Sequence, residues 1–89
     1  MLDELRNKAL DLGASDLGES SVKGKRLYVI YNGKRINFGS DVGQTYIDHG
    51  DNKKRKAWKA RHSKILRGGY PAYKQKDSPA YWALKILWD

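Results

Sequence analysis

The backbone of this chain has the fewest choices at Asn32-Gly33. A two-residue type I′ turn needs positive φ at both central positions, and Asn-Gly between two β-prone runs is the strongest short signal for one. Arg26-Leu27-Tyr28-Val29-Ile30-Tyr31 precedes the pair and Lys34-Arg35-Ile36-Asn37-Phe38 follows it. Counting outward sets Tyr31 opposite Lys34, Ile30 opposite Arg35, Val29 opposite Ile36, Tyr28 opposite Asn37 and Leu27 opposite Phe38. Pleat alternation then gathers Leu27, Val29, Ile36 and Phe38 on a core face and leaves Tyr28, Ile30, Arg35 and Asn37 on the other.

Helices are expected on both sides of this hairpin. Leu2, Leu5, Ala9 and Leu12 recur at i, i+3, i+7 and i+10, which predicts an amphipathic helix from Leu2 to Leu12 that ends at Gly13. Alone it is marginal, so its leucine stripe docks either on the body of the protein or in a partner's groove. Gly13 to Gly24, rich in Gly and Ser, reads as a flexible linker. Residues 1–22 then form an acidic arm, with two basic residues against five acidic, and residues 23–89 a basic domain, with 16 against five.

Beyond the hairpin, Gln44-Thr45-Tyr46-Ile47 is β-prone and predicts a third strand. Asp51 or Asn52 then caps a helix over Lys53 to Arg67, in which eight of fifteen residues are Lys or Arg and none is acidic. Trp58, His62, Ile65 and Leu66 share its packing stripe, and Gly68-Gly69 stops it. Tyr70-Pro71-Ala72-Tyr73 reads as an aromatic loop. Ser78-Pro79 opens a final, largely apolar helix as N-cap and N1. The expected architecture is α+β: an antiparallel hairpin, extended by a third strand, packed by two helices and joined by an N-terminal amphipathic helix. Its pooled core is Leu27, Val29, Ile36, Phe38, Trp58, Ile65, Trp82, Ile86 and Leu87.

Eighty-nine residues suit one small domain without a deep cleft, which argues against an enzyme. With no Cys and two His, neither a thiolate metal site nor a full tetrahedral zinc shell can be assembled, so no metal and no cofactor is expected. His49, Asp51 and His62 could be drawn as an acid–base cluster, but no second carboxylate pair for Mg²⁺ and no activated nucleophile accompany them. His62 is expected to be structural, its ring proton given to a carbonyl or to the Asp48–Asp51 loop. No apolar run approaches a membrane span, and the acidic start lacks the basic, then apolar, order of a signal peptide. Neither secretion nor membrane embedding is expected.

A net charge of +8 concentrated in one helix points to a polyanion. Lys53, Lys54, Arg55, Lys56, Lys59 and Lys64, with Arg35, Lys74 and Lys76, are the candidate phosphate contacts. A lysine-rich run neutralises backbone charge and does not read bases, so binding is expected to be independent of sequence. The alternative is a structural virion protein, a minor capsid or cement component. Its basic face would meet an acidic capsid surface, and Leu2, Leu5, Leu12, Tyr70 and Tyr73 would contact the partner.

Lys34-Arg35-Ile36-Asn37-Phe38-Gly39, Tyr46 with His49-Gly50-Asp51, the basic helix with Ala60-Arg61-His62, and the closing Tyr81-Trp82 and Ile86-Leu87-Trp88 resemble a family of small basic proteins encoded by large DNA viruses and tailed phages. The resemblance covers Arg26 to Trp88. It implies a viral or phage origin, in the virion or the host cytoplasm, and a place either in the virion or in genome handling. The chain departs from that pattern at Arg67-Gly68-Gly69-Tyr70-Pro71 and in the acidic arm.

Because the hairpin hangs on its turn, Gly33→Val is expected to lower stability by about 1 kcal/mol or more, read from denaturant unfolding.

Overall fold

A computed structural model describes residues 2–43 and 45–88. The fold is α+β, with an N-terminal helix, a three-stranded antiparallel sheet and further helices. The chain divides into two compact units, Met1–Val42 and Gly43–Asp89.

The first unit is built on the hairpin. β2 (Lys25–Tyr31) and β3 (Lys34–Ser40) pair in the register counted from the turn. Asn32 and Gly33 both take positive φ, 51° and 74°. Leu27, Val29, Ile36 and Phe38 are buried together on one face. The third strand is not the one expected. Gln44, with which the predicted strand begins, lies outside the described residues, and Tyr46–His49 is helical. The strand that completes the sheet is β1 (Asp16–Glu19), antiparallel to β2, so the sheet order is β1-β2-β3.

β1 runs through the stretch expected to be a flexible linker. Asp, Gly and Glu are poor strand formers, so pairing and not propensity makes this strand. Leu17, fully buried opposite Val29, supplies its packing. Gly18 faces Tyr28, whose ring lies so close that a Cβ on Gly18 would sit 2.8 Å from it. That ring in turn carries the Arg35 guanidinium 3.8 Å from its centroid. The mixed face of the hairpin is therefore a Gly18–Tyr28–Arg35 stack, with the aromatic ring covering a strand glycine.

α1 (Leu2–Asp11) packs on β1. Gly13, at φ 103°, turns the chain after the helix as expected. Ala9 is buried, and Leu2, Leu5 and Leu12 are half-buried along the packed side. Arg6 fastens the helix to the strand, its Nε donating to the Leu17 carbonyl at 3.0 Å and approaching Asp16 at 3.3 Å. The leucine stripe thus docks within the chain. The boundary expected after residue 22 has no counterpart, because the helix and β1 belong to the same unit as the hairpin.

In the second unit, α2 (Tyr46–His49) forms where a strand was expected. Thr45 and Asp48 explain it. The Thr45 backbone N–H and hydroxyl both donate to Asp48 Oδ2, at 2.8 and 2.9 Å, a capping arrangement that overrides the β preference of Tyr and Ile. α3 (Asn52–His62) follows and stops five residues earlier than predicted. Gly68 and Gly69, both at positive φ, form the loop of a second hairpin between β4 (Leu66–Arg67) and β5 (Tyr70–Pro71). That hairpin draws Ile65 and Leu66 away from the helix and leaves them 48% and 61% exposed, so Ile65 is not a core residue. After a 3-10 turn (Ala72–Lys74), α4 (Pro79–Trp82) begins with Ser78 as N-cap and Pro79 at N1, as expected. It continues as a π-helix (Ala83–Leu87). Trp82, Ile86 and Leu87 are fully buried.

Since β1 and α1 are integral, removal of residues 1–22 is expected to abolish cooperative unfolding of the first unit, followed by circular dichroism. Leu17→Ala alone is expected to cost about 2–5 kcal/mol in urea denaturation.

Candidate nucleic-acid interface

α3 contributes few apolar residues to packing, so its placement depends on what holds it. Asp51 caps it, with Oδ1 accepting from the backbone N–H of Lys53 at 2.9 Å and of Lys54 at 3.2 Å. His49 Nδ1 accepts from the Asp51 N–H at 2.9 Å, which leaves the proton of the neutral ring on Nε2. His49 and Asp51 of the His49-Gly50-Asp51 motif therefore both hold backbone at the α2–α3 junction. Gly50, at φ 63°, makes the αL turn between them.

Trp58, 9% exposed, is the helix's buried residue. His62 stacks on it at 3.9 Å and 13°, and Trp88 stacks on it at 5.1 Å and 12°. His49 meets Trp88 edge-on, with centroids 5.6 Å apart. His62 Nδ1 lies 3.0 Å from the Trp58 carbonyl one turn earlier, so the expected carbonyl partner is found in its own helix and not in the Asp48–Asp51 loop. Arg55 completes the anchorage. Its Nε donates to the Trp88 carbonyl at 3.0 Å, and its guanidinium lies 4.8 Å from the Tyr46 ring centroid.

Arg55 thus stands apart from the other predicted phosphate contacts, half-buried and engaged with the C-terminal segment. Lys53, Lys54 and Lys56 are exposed on α3, Lys59 is half-buried, and Lys64 is exposed just past the helix. Lys74 and Lys76 are exposed around the segment leading to α4, and Lys74 lies 5.7 Å from the Tyr73 ring. Arg35 belongs to the other unit, on the Tyr28 stack. Tyr70 is 72% exposed at the tip of the second hairpin, whereas Tyr73 is half-buried.

Two cations join this set that were not among the predicted contacts. Arg61 lines a shallow pocket with Lys54, His49 and Trp88, and its spacing of seven from Lys54 was a readable sign of a shared face. Lys85 borders a second cavity, and no sequence signal marks it, because a π segment shifts side chains from their α-helical directions. Among the described residues no carboxylate pairs with Lys53, Lys54, Lys56, Arg61 or Lys64. The carboxylates nearby are already engaged: Asp48 with Thr45, Asp51 with the α3 amides, Asp77 with Arg67 at 2.8 Å.

Residues 16–62, from the start of β1 to the end of α3, match the model of a family of unknown function, DUF5754. The chain belongs to this family. No curated protein and no solved structure matches it. The DUF5754 match carries the sheet and the basic helix together, and Trp88, which clamps Trp58, lies beyond it. No helix among the described residues is long and apolar enough to cross a membrane.

Trp58→Ala is expected to cost about 3–5 kcal/mol, measured by chemical denaturation, because it empties the middle of a three-ring stack.

Proposed function

We propose that this chain is a small, non-enzymatic nucleic-acid-binding accessory protein that grips phosphate backbone without reading base sequence. Its setting would be the viral or phage genome handling that the sequence resemblance implies, in the virion or the host cytoplasm. The observation that carries the reading is the exposed charge of Lys53, Lys54, Lys56 and Arg61 on α3, which no carboxylate among the described residues pairs. Residues 43–89 hold eleven Lys and Arg against four Asp and Glu, whereas residues 1–42 hold seven against six. The exposed cations of α3 face no acid among the described residues, so their field is available to a polyanion.

A second feature supports it. Lys53 and Lys54 occupy the first turn of α3, where the helix dipole disfavours positive charge by about 0.3–1 kcal/mol per residue. A local choice that works against stability is expected where function requires it. Lysine point charges supply neutralisation of phosphate and not bidentate base recognition.

A structural role on a particle surface is the second reading. It is favoured by the exposed apolar side chains in and beside the second hairpin, Ile65, Leu66 and Tyr70, which suit contact with a capsid protein whose acidic surface would meet α3.

Lys53, Lys54 and Lys56 replaced together by Gln are expected to weaken binding to DNA of any sequence. The slope of log K against log salt should shrink by about 0.9 for each duplex phosphate that is no longer neutralised. Stability should hold or rise slightly, since the helix dipole is relieved. An electrophoretic shift titration at two salt concentrations reads both affinity and slope. Unchanged affinity with an unchanged slope would overturn the phosphate reading in favour of the particle-surface one.

A further inference from the structure

Beside α3 lies a cavity of about 290 Å³ whose walls are unlike the lysine-covered face of the same helix. Trp58 and His62 form one side, with Tyr73 and Leu84 also lining it. Lys59 and Lys85 bring positive charge to the same cavity. The cavity is assembled within the second unit, from α3, the 3-10 turn and the π-helix.

Three observations converge on what it would hold. His62 is the outermost layer of the parallel Trp88–Trp58–His62 stack, so a flat aromatic group entering the cavity could extend a stack already formed. The walls are aromatic and aliphatic while the charges are cationic, which complements a planar base attached to phosphates. Finally, Leu84 and Lys85 come from a π-helix, a rare geometry found disproportionately at functional sites.

The geometry points to a slot for one unpaired base, with the neighbouring phosphates at Lys59 and Lys85, so that the ligand is single-stranded nucleic acid. This rests on the phosphate-binding reading of α3 and adds the strand state. A base inside a duplex is paired and stacked on both sides and has no flat face to offer. An unpaired base of any identity has one, so strand preference comes without sequence preference.

The test is fluorescence anisotropy of the full chain with labelled oligo-dT and with a duplex of equal length, at matched salt. The parent is expected to bind the single strand about tenfold or more tighter than the duplex. Tyr73→Ala should remove most of that preference while leaving duplex affinity and the salt slope unchanged. Ser63 also lines the cavity but is exposed and outside the core, so Ser63→Leu obstructs the slot without disturbing packing. It should have the same effect, and it decides the matter if Tyr73→Ala melts. Equal affinity of the parent for both strands, or a Ser63→Leu variant that keeps the full preference, overturns the slot while leaving the phosphate reading intact. Binding to neither nucleic acid at low salt overturns both.

Discussion

Trp58 carries an aromatic ring on each face, and the orientation of the basic helix follows from that sandwich. An eleven-residue helix dense in like charge has little stability of its own. Stacking between Trp88 and His62 fixes one side of it, and Arg55 reinforces the same side by donating to the Trp88 carbonyl. Once that side is held, Lys53, Lys54, Lys56 and Arg61 are left to solvent. The packing that stabilises the helix and the display that would bind phosphate are two consequences of one arrangement. His49 and Asp51 set where the helix starts, so the motif that looks most like chemistry on paper is occupied in holding backbone amides.

The hairpin was legible because its turn has one good solution and strand alternation does the rest; every predicted pair is found. Ser78 and Pro79 were legible for the same reason, each satisfying a helix start that few other residues can, and the cap of α3 was narrowed to Asp51 or Asn52, of which Asp51 is the one used. β1 was not. Asp16-Leu17-Gly18-Glu19 has no intrinsic claim to be a strand, and its reason for being one lies ten or more residues away, in Val29 beneath Leu17 and in the Tyr28 ring that needs a glycine beside it. α2 shows the opposite failing, since Thr45 and Asp48 announce a cap that the β-prone Tyr46 and Ile47 conceal. Gly68-Gly69 carried two meanings, helix stop and hairpin loop, and only pairing of Leu66 with Pro71 and Arg67 with Tyr70 selects the second.

The candidate interface divides along the same line. Composition found the basic run, because charge density survives any error in boundaries. It could not separate Arg55 from its neighbours, since the carbonyl it serves belongs to Trp88, 33 positions on. Nor could it find the cavity, whose walls come from three elements and include a π-helix that no residue pattern announces.

Charge is distributed between the two units in a way that bears on how a polyanion would be met. Residues 1–42 are nearly neutral, and the guanidinium on their mixed face, Arg35, lies over the Tyr28 ring. Residues 43–89 carry almost all of the net charge. A chain with its charge concentrated in this way presents one strongly attractive region, and long-range attraction orients the approach before any contact forms. Increasing salt screens that attraction over distances of about 10 Å at 0.1 M, whereas stacking in an apolar slot is not a Coulomb interaction. The two parts of the proposed interface would therefore respond differently to salt: the lysines of α3 would govern encounter and overall affinity, and the aromatic slot would retain its discrimination between strand states as the electrostatic contribution falls.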